Sequence, residues 1–103
     1  MASFRFSVRA RADLRDIAAY TVQTWDAAQA DRYLARLEGF CERLAAMPVL
    51  GRSCDEIRPG LLRAEQASHV VFFRREAVGI LVCRVLHNRM LPAAHPIDDE
   101  ERD

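Results

Sequence analysis

The sequence contains no lysine, and all fifteen of its basic residues are arginine. Arginine makes forked contacts with carboxylates and phosphates, so an arginine-rich surface suits protein or nucleic-acid partners, although a compositional bias of the source genome explains the same excess. Five of the fifteen acidic residues fall in the last six positions, DDEERD. We predict that residues 98–103 form an acidic, disordered tail that helps to keep the chain in solution.

Long apolar runs are also missing. No segment approaches the ~18 apolar residues of a membrane span, and Arg5 and Arg9 interrupt the first segment, where a secretory signal would lie. The three cysteines are an odd number without a Cys-x-x-Cys pair. We therefore expect a cytoplasmic protein in which Cys41 and Cys83 are small buried hydrophobes. Cys54 falls in a predicted loop, where it can be exposed.

The motifs of several common chemistries are absent. The sequence has neither a Gly-x-Gly-x-x-Gly segment nor a Walker loop, so it offers no cradle for nucleotide phosphates. No serine stands in a nucleophile elbow. His69, His87 and His95 are too scattered along the sequence to indicate a zinc site. We predict that the protein needs no metal and no cofactor.

Periodicity in the first half predicts a strand and two helices. Residues 2–6 alternate weakly, as in a short strand. Ser7 is placed to cap a helix over residues 8–25. One apolar stripe of that helix is predicted to contain Leu14, Ile17, Ala18, Thr21, Val22 and Trp25. Asp26 is placed to cap a second helix, which must end near Met47 because Pro48 cannot continue it.

The second half predicts strands. Residues 48–60 contain Gly and Pro at both ends and indicate a loop, and strands are predicted at about 61–66, 69–75 and 80–86. The last two are apolar on both faces, which is typical of central strands. The predicted fold is α+β, in the order β-α-α-β-β-β, with an antiparallel helix hairpin packed on a mostly antiparallel four-stranded sheet. We expect a single domain over residues 1–97.

Polar residues precede, interrupt or follow these strands, and two interpretations of them stay open. They are Arg58, Arg63, Arg74, Arg84, His87 and Arg89. The simpler interpretation is a solvated sheet face with surface ion pairs, because charged residues are mostly exposed. The other is a binding surface at the end of the last strand, where HNRML follows a rigid apolar segment.

Five segments, in this order and spacing, carry a resemblance to a known family. They are ADLRDIAAYTVQTW, QADRYLARLEGFCERLAAMPVLGR, CDEIRPGL, SHVVFFRR and CRVLHNRM. From about Phe6 to Leu91 the chain resembles the ParE branch of the RelE/ParE superfamily of bacterial toxins, from type II toxin–antitoxin systems. Three positions depart from the pattern: Asp26 replaces a usual Gly, Phe73 replaces a common Tyr, and Pro92 arrives early.

The resemblance implies a toxin that a cognate antitoxin holds inactive. ParE-like members poison DNA gyrase by binding, whereas the RelE branch cuts mRNA on the ribosome. The implied partners are a small antitoxin with an acidic C-terminal arm and DNA gyrase; operator DNA is reached only through the antitoxin, and no membrane is involved. The candidate target contacts are His87, Arg89, Arg58 and Arg84. The candidate antitoxin contacts are Trp25, Arg32, Arg36, Arg63 and Arg74.

The chemistry of RNA cleavage favours the ParE branch. Attack by a 2′-hydroxyl needs a general base, a general acid and cations on the phosphate. The RelE branch is known for lysines, arginines and a C-terminal tyrosine in these roles, but this chain has no lysine and no tyrosine after Arg84. We predict a gyrase inhibitor without catalysis. A RelE-like ribonuclease that uses His87 and Arg84 is one alternative, and a non-toxic antitoxin-binding remnant is the other, because of the Phe73 and Pro92 departures.

Overall fold

The computed structural model describes residues 3–90 and 97, and its elements follow the predicted order with one addition. The helices and strands are β1 (Ser3–Phe6), α1 (Val8–Thr24), α2 (Ala27–Ala46), β2 (Arg52–Ser53), β3 (Leu62–Gln66), β4 (His69–Glu76) and β5 (Gly79–His87), with a 3₁₀ turn at Pro48–Leu50. The added element is β2, which lies in the segment predicted as a loop. The sheet therefore has five strands and not four.

The strands lie in the order β1-β5-β4-β3-β2. β1 runs parallel to β5, and the other neighbours are antiparallel. The sheet is thus mostly antiparallel, as predicted, and β4 and β5 are central strands. Neither helix is both long and apolar enough to cross a membrane, within the residues that the structure describes.

Both predicted helix caps are confirmed. The Ser7 hydroxyl accepts a hydrogen bond from the Ala10 N–H at 3.0 Å and donates one to the Cys83 carbonyl at 2.8 Å, so it also ties α1 to β5. The Asp26 carboxylate accepts a hydrogen bond from the Gln29 N–H at 2.7 Å. Asp26 therefore supplies α2 with a capping side chain, which the glycine usual at this position in the resembling family lacks.

Apolar side chains cover both faces of the sheet. Because side chains alternate along a strand, Val71 and Phe73 pack in a cluster under the helices, whereas Val70 and Phe72 belong to a second cluster on the opposite face. Ile97 and Cys54 are buried in this second cluster. The expectation that Cys54 can be exposed was wrong, because its side chain packs beneath the sheet although its backbone lies in a loop.

The predicted apolar stripe of α1 holds only for its first half. Ala10 is buried, and Leu14 and Ile17 pack against the cluster under the helices. Val22 is 47% exposed and Trp25 is 70% exposed. The last turns of α1 are thus amphipathic in sequence but leave an apolar surface uncovered.

Gly79 is placed where no side chain fits. Its φ is +152°, and a Cβ built there would lie 1.6 Å from the Ser3 carbonyl oxygen of β1. Gly79→Ala is expected to destabilise the protein by about 3 kcal/mol or more, because backbone strain alone costs about 1–3 kcal/mol and a backbone clash adds to it. Urea denaturation measures the change.

Gly39→Ala is the matched control. Nothing lies within 4 Å of a Cβ at Gly39, inside α2, so this change should stabilise the helix by about 1 kcal/mol. Equal stability of the two variants would contradict the close approach of β1 to β5.

Candidate partner-binding groove

A groove of about 700 Å³ opens beside the uncovered end of α1. It lies between the last turns of α1, the first turns of α2 and the adjoining ends of β4 and β5. Its lining combines the aromatic rings of Tyr20, Trp25 and Tyr33 with carboxylates and two histidines. This composition gives a wide, partly apolar surface with a few polar groups, as in a binding site.

A bulge in β5 turns Arg84 towards the groove. Phe72 pairs with Arg84 while the next residue, Phe73, pairs with Val82, so β5 has one extra residue at this point. Val85 packs in the cluster under the helices, and the preceding Arg84 also reaches a helix. Plain alternation would place two successive side chains on opposite faces, and a bulge is the usual way in which a strand re-aims one of them.

Arg84 is clamped by Asp13 of α1. The Asp13 carboxylate accepts hydrogen bonds from Arg84 Nε at 2.8 Å, from Arg84 Nη2 at 2.9 Å and from the Val85 N–H at 2.9 Å. Each of the two charged side chains is only 11% exposed. The hydrogen bond to Asp13 raises the pKa of the Arg84 guanidinium. Arg84 is therefore engaged by the protein itself.

A chain of three rings lies across the floor of the groove. The Tyr33 hydroxyl is hydrogen-bonded to Nδ1 of His69, and the His69 and His87 rings meet edge to face at 5.5 Å between centroids. His69 and His87 are direct cross-strand partners. The register of β4 against β5 thus brings together two histidines that are far apart in the sequence, and His95 lies outside the described residues. Within residues 3–90 and 97, no group of three or more His, Cys, Asp or Glu is placed to hold a metal ion.

The turn after β5 is fixed by its backbone. The Asn88 N–H donates to the Ser68 carbonyl at 2.8 Å, and the Met90 N–H donates to the His87 carbonyl at 2.9 Å. The Arg89 N–H donates to Nδ1 of His87 at 3.1 Å. This contact orients the His87 ring at the edge of the groove.

Three of the four predicted target contacts come together. Arg84 and His87 line the groove, and the exposed Arg89 follows directly at its rim. Arg58 lies apart from them, in the loop between Cys54 and Leu61, which both belong to the cluster on the opposite face of the sheet.

The predicted antitoxin contacts divide into two groups. Trp25 lines the groove, and Arg32 donates to the side chain of its neighbour Gln29 at 2.8 Å. Arg36 follows one turn further along α2 and is exposed.

Arg63 and Arg74 lie on the other face of the sheet. The Arg63 guanidinium stacks over the Phe72 ring at 5.5 Å, and Arg74 lies 3.8 Å from the Glu76 carboxylate. The interpretation of the strand residues as one polar sheet face was therefore wrong, because Arg84 points to the helices and these two point away from them.

The residues that sequence reasoning missed are Asp13, Asp16, Tyr33 and His69. The sequence contained one indication that Arg84 has a partner, because Arg84 is the single charge inside the apolar run ILVCRVL. A charge buried in such a run requires a partner of opposite sign. Asp13 of α1 is that partner.

Comparisons with known proteins agree with the fold and with the quoted motifs. Residues 4–92 match the family model described as "ParE toxin of type II toxin-antitoxin system, parDE". The chain is 42% identical over 88 residues to Toxin ParE1 of Mycobacterium tuberculosis, which covers 84% of this chain and 90% of that protein. It is 40% identical over 95 residues to Toxin ParE1 of Caulobacter vibrioides, covering 92% and 98%.

A solved structure supports the same architecture. The structure described as "Chromosomal ParDE TA system from P. aeruginosa" superposes with a TM-score of 0.70 at 20% identity, covering 84% of this chain and 96% of that chain. At this identity the likeness concerns the fold.

Stability should depend on the protonation of His69. Burial lowers the pKa of His69 from its ordinary value of 6.5, and the neighbouring His87 lowers it further. The unfolded chain then binds the proton more readily than the folded one. The contribution of neutral His69 to the free energy of unfolding is complete above about pH 6.5. It is lost as the pH falls from there through the lowered pKa of the folded state.

His69→Asn tests this dependence. The asparagine keeps an acceptor near the Tyr33 hydroxyl but does not titrate in this range. Urea unfolding between about pH 5.5 and about pH 8 should show a weaker decline for the variant than for the parent. Parallel curves would mean that His69 has the same pKa in both states.

Proposed function

Because the chain belongs to the ParE toxin family of type II toxin–antitoxin systems, we propose that it inhibits DNA gyrase by binding, without catalysis. A small antitoxin neutralises it by occupying the groove. This target places its action in the cytoplasm.

The observation that carries the proposal is the state of Arg84. A ribonuclease needs a cation that meets the scissile phosphate and the charge that develops on it. Arg84 is the one arginine among the residues that line the groove. Its Nε and Nη2 both donate hydrogen bonds to Asp13. The Asp16 carboxylate adds a negative charge to the same groove and repels a phosphate backbone. The groove therefore suits a protein segment better than RNA.

A second candidate function, mRNA cleavage on the ribosome, has one observation in its favour. Tyr33, His69 and His87 form a continuous set of titratable groups in the groove. The lowered pKa of His69 keeps its ring neutral near pH 7, which is the form that accepts a proton. Arg84 is the one arginine among the residues that line the groove, and it is bound to Asp13, so this is the weaker candidate.

The antitoxin surface extends from the groove along α2. Gln29, Tyr33 and Arg36 recur at four and three residues, so they share one side of the helix. Arg32 and Arg36 are exposed beside the groove. An acidic arm that leaves the groove in this direction pairs with both guanidinium groups, which speeds association and fixes the orientation of the antitoxin.

The gyrase contact is proposed at the turn after β5. Arg89 is exposed there on a backbone fixed by the hydrogen bonds of Asn88 and Met90. A rigid support limits the conformational entropy lost on binding. Arginine is enriched among residues that dominate binding energy.

The Phe73 departure supports retained toxicity. Phe73 is fully buried in the cluster under the helices, and its ring tip faces Gly51. The missing hydroxyl is therefore a core difference that removes nothing from the groove or from the turn after β5. Pro92 lies outside the described residues.

The direct test measures supercoiling by purified gyrase and cleavage of ribosome-bound mRNA with the same preparation. The unchanged chain should inhibit supercoiling and leave the mRNA intact. Arg89→Ala should raise the concentration needed for inhibition by about tenfold or more, as expected for a residue that dominates a contact, while antitoxin binding persists. Arg75→Ala, an exposed arginine near the other end of β4, is the control and should inhibit normally.

Cleavage of mRNA together with normal supercoiling would replace the proposal by the ribonuclease alternative. Undiminished inhibition of supercoiling by Arg89→Ala would move the gyrase contact to another surface. A chain that affects neither process and still binds an antitoxin would be the non-toxic remnant.

A further inference from the structure

The two carboxylates of the groove differ in what they contact. Asp13 is fully engaged by Arg84 and by the Val85 N–H. Asp16 lies one turn further along α1, is exposed and lines the same groove. Within residues 3–90 and 97, the Asp16 side chain has no hydrogen bond or ion pair. The groove therefore contains one charge that its own residues leave unbalanced.

Aromatic rings line the groove together with this carboxylate, and Tyr20 follows Asp16 by one helical turn. Tyr20 is 67% exposed, and Trp25 is 70% exposed; both line the groove with Asp16 and Tyr33. Aromatic faces attract a cation within about 6 Å of the ring centroid.

These features select among possible occupants. An apolar side chain would cover the rings but would take Asp16 out of water without a partner, which is costly. An acidic side chain would be repelled by Asp16. A guanidinium or ammonium group pairs with the carboxylate, and its alkyl stem and charge both pack favourably against the rings.

We infer that the antitoxin segment in the groove places one arginine or lysine against Asp16, beside the ring of Tyr20. This inference rests on the proposed neutralisation by an antitoxin. The occupant is then a segment with two opposite charges, because its acidic arm meets Arg32 and Arg36 on α2. Inserting it in reverse would place like charges together at both ends. The charge order therefore fixes its direction and excludes antitoxins with the opposite order.

The affinity test uses the full-length chain and the product of the reading frame adjacent to its gene, with Kd measured by calorimetry at several salt concentrations. Asp16→Asn keeps the shape but removes the charge, and should raise the Kd by about tenfold or more. Its Kd should also depend less steeply on salt than that of the parent, because salt screens the lost attraction. Asp31→Asn removes an exposed charge of α2 outside the groove and should change neither quantity.

A charge exchange identifies the partner residue. Asp16→Arg should prevent tight binding, and replacing the antitoxin's arginines and lysines one at a time by glutamate should restore it at one position only. Trp25 is the single tryptophan of the chain, so the fluorescence difference between the parent and Trp25→Phe reports directly on the groove. Binding should change this difference signal.

The outcomes separate the two proposals. Absence of binding to the unchanged chain would overturn neutralisation by that partner, and this inference with it. Tight binding with an unaltered Trp25 signal would place the antitoxin on another surface and overturn the inference. If Asp16→Asn changed neither the Kd nor its salt dependence, the contact between Asp16 and a basic residue would be overturned, while neutralisation by the antitoxin would stand.

Discussion

The hydrogen-bonded ion pair between Asp13 and Arg84 is the contact on which the groove depends. It joins the middle of α1 to the bulge in β5, and one carboxylate holds both the arginine side chain and the backbone N–H of the next residue. Both charged side chains are largely buried, with 11% of each exposed. Removing one partner from such a pair costs about 3–5 kcal/mol, because the other charge is left buried without compensation.

The covered sheet explains why polar groups collect at one end of it. β4 and β5 are central strands, and most of their side chains lie in one of the two apolar clusters. Groups that meet a partner must therefore project where the strands end. His69 begins β4 and His87 ends β5, and the exposed Arg89 follows. The apolar run thus forms a rigid core that ends in a polar rim.

The starts of the helices and the central position of β4 and β5 were predicted correctly, because short stretches of sequence determine them. Ser7 and Asp26 are caps because a short polar side chain satisfies free N–H groups at a helix start. The double-sided apolar character of β4 and β5 predicted their central position. β2 has only two residues, too few to show an alternating pattern. The sheet was therefore predicted with four strands and not five.

The groove could not be predicted from the sequence, because it is formed by contacts between residues that are far apart along the chain. One extra residue in β5 puts Arg84 and Val85 on the same face, which no alternation pattern indicates. The pairing of His69 with His87 follows from the register of β4 against β5 and not from sequence spacing. The family resemblance indicated the class of protein, but it did not indicate Asp13 or Asp16, whose importance comes from the position of α1 over the bulge.

A double-mutant cycle measures the coupling between Asp13 and Arg84. The free energy of unfolding would be measured by urea denaturation for the parent, Asp13→Asn, Arg84→Met and the double variant. We predict that each single change destabilises the protein by about 3 kcal/mol or more, and that the double change costs less than the sum by about 1.5 kcal/mol or more. Single effects that add within about 0.5 kcal/mol would contradict the role of this pair in holding α1 against the sheet.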